Sequence, residues 1–398
     1  DDPSGITTYG MAGASTGYSM LWVVFLTTPM MAVVQGMCAR IAMVTGVGLA
    51  AAMRKRLARW IVLLLGATVI VANTINAGAD LEGMSASAQL LFGQPNIAWI
   101  ALFGVVLIVI QVWFSYHAFE SVIKWLTVAL FAYVVTAFVV HPPWGLVLRH
   151  LLLPELHFHM FWLSTLVAVL GTTITPYLFF WQASLEIEEE IDRGRTTVAS
   201  RRGATAKEIG DMHIDVNSGM LLSNAVAFFI IVTTAATLGA HGFHQITTAA
   251  DAVRALEPLA GRFAAWLFAA GMIGTGLLAI PAFTASSAFI ISEVYGFREG
   301  LDKKPSKAPQ FYAALVLGML VAMAIGFLRI DPVAALFWSA VINGVVAVPL
   351  LAAVVVMASD RHLMGRWVSS TAAKIWGWAT VAAMGLAAIA MFAFWGKS

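Results

Sequence analysis

Two short stretches of this chain combine a proline with oxygen-bearing neighbours. Asp2-Pro3-Ser4-Gly5 opens the first apolar block, and Gly171-Thr172-Thr173-Ile174-Thr175-Pro176-Tyr177 interrupts the sixth. A proline inside an apolar run removes an amide donor and frees backbone carbonyls. Half-helix ends at such a break carry partial charges, so a carboxylate beside it is suited to holding a cation. Each stretch also has a plain structural use. Asp-Pro-Ser at a helix start is an N-cap with proline in the first turn. Thr-Pro within a span is a kink whose threonine satisfies a freed carbonyl. Two further acids, Asp80 and Glu82, lie in the block at 60–92. Acids at membrane depth are functional by default. That block is ~50 Å long at about 1.5 Å per residue, more than one span needs, so solvation at its outer mouth is the competing reading.

The elements that position these residues are membrane spans. Of 398 residues, 60% are hydrophobic and 11% charged, with mean hydropathy +0.85. Soluble domains carry roughly 25% charged residues. The 23 basic and 21 acidic side chains cannot cover so much apolar surface, which excludes a cytosolic enzyme, a nucleic-acid binder and a disordered chain. The single Cys38 excludes a disulfide framework and a cysteine metal cluster. The chain opens with Asp1-Asp2-Pro3, which does not read as a signal peptide.

Apolar blocks fall at 18–45, 60–92, 97–117, 125–141, 160–185, 214–238, 262–292, 311–329, 333–357 and 374–395. A shorter one at 5–17 reads as the second half of a span whose first half lies upstream, giving eleven spans with a truncated first. The cytoplasmic loops are expected at about 46–59, 118–125, 186–213, 293–310 and 358–373. Seventeen of the 23 basic residues then lie inside and five outside, with Arg40 within a span, a strong positive-inside bias. Asp215 and Asn217 are expected to cap span 7. The acids at 186–190 read as a solvated helix end paired with Arg193 and Arg195. His141, His150, His157 and His159 share one external loop and read as surface histidines.

The two interruptions fall in spans 1 and 6, the first spans of two consecutive five-span units. Five is odd, so the second unit runs inverted relative to the first. Paired interruptions in inverted halves point to a midplane binding site. The expected organisation is one transporter domain: a first repeat at 1–142, a second at 160–358 and an eleventh helix at 374–395.

With these features the chain resembles the Nramp family of divalent-metal transporters, an all-α integral membrane fold of the LeuT type. Gln35-Gly36-Met37-Cys38-Ala39-Arg40-Ile41 with Val44-Thr45-Gly46 is similar to that family's second span, and Ala79-Asp80-Leu81 to its third. The resemblance covers essentially the whole chain and implies a multi-pass protein of the bacterial inner membrane. Its partners would be a divalent ion and the lipid bilayer, with no cofactor, no nucleic acid and a monomeric state. The departures are informative. The family's span-1 motif is Asp-Pro-Gly-Asn; Asp2 and Pro3 match, while Gly5 replaces the asparagine. Its span-6 motif is Ala-x-x-Met-Pro-His; here Thr172, Thr175 and Tyr177 replace alanine, methionine and histidine, and Gln182 replaces a second histidine.

A thioether favours Mn, Fe and softer metals over Mg and Ca. Hydroxyls of Thr172, Thr175 and Tyr177 with the Asp2 carboxylate would make an all-oxygen site at Gly5, suited to a partly hydrated Mg²⁺. This pattern resembles the Nramp-related magnesium transporter branch, so Mg²⁺ is the expected substrate and Mn²⁺ a second one. In the family, proton movement involves the span-6 histidine, an acidic pair in span 3 and arginine in span 9. Asp80 matches the first acid, Gly83 takes the place of the second, Glu82 is rotated about 100° away, and 311–328 holds no arginine. The resemblance therefore implies uncoupled uptake, for which two charges crossing 100 mV supply about 4.6 kcal/mol at about 2.3 per charge. Asp80, Glu82, Gln182 and Asn343 are the proton-handling or supporting candidates, with helix packing as the other reading of Asn343. Against this stand a proton-coupled Mn²⁺/Fe²⁺ symporter, a carrier of organic cations, and a sensor with the same fold.

Overall fold

The computed structural model describes residues 2–113, 125–126, 128–242, 246, 248–301, 303–328 and 330–395. Lys124, Arg329, Lys397 and most of the expected 118–125 loop lie outside them. Among the described residues the chain is helical, without strands. The principal helices are α1 (Pro3–Thr16), α2 (Leu21–Thr45), α3 (Arg59–Phe92), α4 (Asn96–Trp113), α5 (Phe131–Val139) and α6 (Met160–Thr173). They continue with α7 (Pro176–Asp192), α8 (Ala206–Thr237), α9 (Ala264–Tyr295), α10 (Pro309–Gly326), α11 (Pro332–Ser359) and α12 (Thr371–Ala393). Nine helical segments among the described residues are long and apolar enough to cross a membrane, counting α6 with α7 as one. A tenth arises if Val128–Val139 is joined to Trp144–Leu152, which turns away from it by 118°.

The broken span lies innermost. The most apolar stretch of α6 and α7 is 94% buried, against 17% for α4 and 33% for α12. The outer helices expose Leu102, Val105, Leu317, Leu320, Leu386 and Ile389 on their free faces. Apolar side chains spread over such faces are matched by hydrocarbon. Thr175 separates α6 from α7 in extended conformation (φ −87°, ψ 133°), as the residue before Pro176 must. Pro176 then takes the first position of α7, where its missing amide costs no hydrogen bond. Gly171 makes a close crossing possible: a Cβ there would run into the Ala340 carbonyl and the Gly344 amide of α11. Gly344 in turn sits on the Val167 carbonyl. Such small-residue crossings bring membrane helices to backbone contact.

Three expectations about the cytoplasmic side need correction. Span 7 begins at Ala206, about two and a half turns before Asp215, so Asp215 and Asn217 do not cap it. Thr205 does, in a reciprocal box with Glu208. The polar first turns hid the helix because they stand in water. The expected loop at 186–213 is correspondingly shorter, since α7 also runs on to Asp192. Glu189 and Glu190 pair with the arginines as expected. Glu186, Glu188 and Glu190 are buried, however, so the run is not the expected solvated helix end, because α7 stays packed inside the bundle to its last turns. Glu189 meets Arg193 at 2.5 Å, and Arg195 bridges Glu190 and Glu208 at 2.6 Å each. On the other side, His159 accepts from the Trp162 amide and caps α6.

Candidate ion-binding site

Asp2 stands where α1, α3 and α6 meet and is buried, 3% exposed. Its Oδ1 accepts from the Gly5 amide at 2.7 Å and the Ser4 hydroxyl at 2.7 Å. These bonds make it the N-cap of α1, so the plain structural use of Asp-Pro-Ser is realised. The same oxygen accepts from the Thr172 hydroxyl of α6 at 3.4 Å. Oδ2 turns the other way, towards α3, and accepts from the Asn76 amide at 3.3 Å. Capping and site geometry therefore coincide in one carboxylate, one oxygen serving each wall.

Gly5 is what brings α1 and α6 together. A Cβ on it would lie 3.2 Å from Thr172 Oγ1 and 3.3 Å from Asp2 Oδ1, so the family's asparagine would press on both groups. One turn further, the Tyr9 hydroxyl and Thr173 Oγ1 are 2.9 Å apart and tie the two half-helices again. Residues 160–173 end at the site, so the partially negative end of α6 faces Asp2 and adds to a field that favours cations.

The other expected donors are placed differently. Thr175 gives its hydroxyl hydrogen to the carbonyls of Gly171 and Thr172, at 3.0 and 2.8 Å. It therefore heals the break in α6, the kink reading of Thr-Pro. Tyr177 packs edge-on against Phe283 of α9, ring centres 4.2 Å apart. It lines a cavity of about 350 Å³ bounded by α7, α8 and α9. Gln182 turns down α7 and donates to Glu186 at 3.0 Å. Asn343 is buried beside the α6–α11 crossing, its Nδ2 without an acceptor. The structure thus brings together Asp2, Gly5 and Thr172, and gives Thr175, Tyr177, Gln182 and Asn343 other neighbours.

The acids of α3 are both buried, Asp80 wholly and Glu82 to 4% exposure, so neither is solvated at an outer mouth. They face different ways. Glu82 accepts from Asn96 at 2.7 Å and lines a cavity of about 170 Å³ between α3, α10 and α11. Asp80 lies beside the Asp2 carboxylate and the Ser4 amide. Neither of its oxygens has a hydrogen bond of ordinary geometry. The place of the family's second acid is filled: a Cβ on Gly83 would lie 2.8 Å from Leu336 Cδ1 and 3.1 Å from Met272 Cε.

Ser4 and Asn76 contact Asp2 and were not among the expected site residues. The signal for Asn76 was present in the sequence. Asn73, Asn76 and Asp80 recur at helical spacing, which puts three polar side chains on one face of an apolar span. Asn73 uses its amide to bond Phe283 O and Ser287 Oγ of α9, at 3.3 and 3.1 Å, and so orients that face.

Comparison with known proteins agrees with this architecture. Residues 1–394 match the Nramp profile, described as natural resistance-associated macrophage protein-like. The chain is 25% identical over 386 residues to the divalent metal cation transporter MntH of Klebsiella pneumoniae (strain 342), covering 96% of this chain and 88% of that protein. It is 26% identical over 389 residues to the MntH of Yersinia pestis (strain Pestoides F), covering 94% and 87%. The crystal structure of the Eremococcus coleocola manganese transporter, bound to an aromatic bis-isothiourea compound, superposes with TM-score 0.77 at 18% identity. That match covers 100% of this chain and 85% of the other. The fold is the LeuT type of those structures, and the chain belongs to the Nramp family of multi-pass membrane transporters, which move divalent metal ions and are not enzymes.

Proposed function

We propose that this chain carries Mg²⁺, with Mn²⁺ as a second substrate, by alternating access around Asp2 and without proton coupling. The observation that carries the reading is the chemistry at the α6–α7 break. The family's methionine is replaced by Thr175, and its hydroxyl is bound to backbone carbonyls. The oxygens that contact Asp2 are the Ser4 and Thr172 hydroxyls, and its other contacts are N–H groups of Gly5 and Asn76. Oxygen donors beside a carboxylate suit a hard ion that keeps part of its water shell. Uncoupled movement is supported by the residues that replace the proton route: Tyr177 against Phe283, the Gly83 position packed by Leu336 and Met272, and Glu82 turned to Asn96.

A second reading, proton-coupled Mn²⁺ uptake, draws on Asp80, a buried carboxylate next to Asp2 with no hydrogen bond of ordinary geometry. Uptake into proteoliposomes separates the two when Mg²⁺, Mn²⁺ and Cd²⁺ are compared with internal pH recorded. The proposal expects Mg²⁺ entry without acidification, little Cd²⁺ entry, and loss of flux in Asp2→Ala. Mn²⁺ or Cd²⁺ entry with acidification and no Mg²⁺ entry would replace it with the coupled reading. The absence of any divalent flux would favour a sensor or an organic-cation carrier.

A further inference from the structure

Three acceptor oxygens near Asp2 have no hydrogen bond of ordinary geometry: Asn76 Oδ1 and both carboxylate oxygens of Asp80, which has only the Ser4 amide beside it. Both residues are fully buried, at 0% exposure. They lie one turn apart on α3, which puts their side chains on one face of the helix. That face meets the start of α1. Asn76 Nδ2 is 3.3 Å from Asp2 Oδ2, and Asp80 lies beside Asp2 and the Ser4 amide. An unpaired buried acceptor costs about 1–3 kcal/mol, and more when charged. Two neighbouring carboxylates with no ion pair among the described residues repel one another.

A cation resolves all of these deficits at once. From the unpaired Asn76 oxygen and the poorly bonded Asp80 carboxylate on one face beside Asp2 we infer that α3 forms a third wall of the ion site, with both side chains acting as ion ligands opposite Thr172. The inference rests on the proposed divalent-cation function and deepens it. It names the donors that stand in for the missing thioether and places them on α3, outside the two broken helices. The Asn76 amide has two faces, and only its nitrogen can be offered to Asp2 when no ion is there. With an ion on Asp2 Oδ2, the other face presents Oδ1 to the same charge. Asp80 supplies the second carboxylate, in keeping with the one or two that commonly hold Mg²⁺.

The test uses full-length protein in detergent and in proteoliposomes. Mg²⁺ and Mn²⁺ are the probes, and Asn76→Leu and Asp80→Asn the variants. Leucine keeps the branching of Asn76 at Cγ and removes both polar atoms; asparagine keeps the shape of Asp80 and removes its charge. A ligand role predicts that each variant raises the KM for Mg²⁺ at least tenfold while the maximal rate stays within about threefold. Each should also lose the Mg²⁺-dependent rise in melting temperature while melting without ion no lower than the wild type, because an ion that binds only the folded state stabilises it by mass action and the variants remove groups that are strained without it. A packing role would instead lower the ion-free melting temperature and leave the KM unchanged, and that result in both variants overturns the inference. If Asn76→Leu does not fold, Asp80→Asn alone decides it by the same two readouts. Wild-type protein that neither carries nor is stabilised by Mg²⁺ or Mn²⁺ would remove the divalent-ion reading and this inference together. A responsive wild type with unchanged variants would remove this inference only.

Discussion

Replacing Thr175 by methionine probes how the break in α6 sets ion choice. The substitution removes the hydroxyl that donates to the Gly171 and Thr172 carbonyls at 3.0 and 2.8 Å. The one hydroxyl hydrogen is shared between the two carbonyls and such a bond contributes about 0.5–1.5 kcal/mol, so about that much stability should be lost. It also puts a thioether at the break, one helical turn from Thr172, whose hydroxyl reaches Asp2. A soft donor improves binding of Cd²⁺ and does little for Mg²⁺. A gain of only about 1.4 kcal/mol for Cd²⁺ relative to Mg²⁺ is a tenfold change in their ratio. The assay is competitive uptake of Cd²⁺ and Mg²⁺ into proteoliposomes, with Thr175→Ser and Thr175→Val beside Thr175→Met. Serine should keep wild-type selectivity and stability. Valine should lose stability without gaining Cd²⁺. Methionine should lose stability and raise the Cd²⁺ to Mg²⁺ ratio at least tenfold. A methionine variant with an unchanged ratio would refute the reasoning, because it would mean that the residue at the break does not govern ion softness.

Gly171→Ala should reduce stability by about 1–3 kcal/mol or more, because the added methyl meets backbone atoms of Ala340 and Gly344; melting temperature and yield of folded protein measure it. Gly83→Glu should fold at some cost, since the obstructing atoms are the flexible tips of Leu336 and Met272, and should leave uptake free of internal acidification in the pH-recording assay. Glu299 lies in the segment after α9, where burial first, and then Glu293 and Glu188, raise its carboxyl to about 9 against the pull of Lys303 and Arg201. A raised carboxyl contributes stability in full below its unfolded value near 4.3 and loses it as pH rises towards 9. Glu299→Gln should therefore melt above the wild type at pH 8–9, with the difference closing near pH 4–5; equal melting curves at all pH values would contradict this.

The spans were legible because hydrocarbon imposes a length and a composition that local sequence must obey. Each expected block from 18–45 to 374–395 contains a helix among the described residues, although α5 covers only part of 125–141. Helix ends in water were less legible, since polar first turns such as those of α8 carry no apolar signal; only the Thr205–Glu208 box marks that start. At the site, residues adjacent in sequence were the readable ones. Asp2, Gly5 and the Thr172–Pro176 break advertise themselves through proline and oxygen side chains. Asn76 was marked only as one of a polar row with Asn73 and Asp80; that this row faces Asp2 comes from the packing of α3 against α1, which is a tertiary fact. Thr175 and Tyr177 show the converse: residue type suggested ligands, whereas the Thr175 hydroxyl turned to its own helix and the Tyr177 ring to Phe283.

The most direct test of an uncoupled Mg²⁺ carrier is the potential at which its current reverses in a planar bilayer, measured across imposed Mg²⁺ and pH gradients. Moving two charges through 100 mV is worth about 4.6 kcal/mol, and a tenfold gradient about 1.4 kcal/mol, so the account predicts a shift of about 30 mV per tenfold Mg²⁺ gradient and none with pH. A reversal potential that moves with pH, or a current that ignores Mg²⁺, would contradict it.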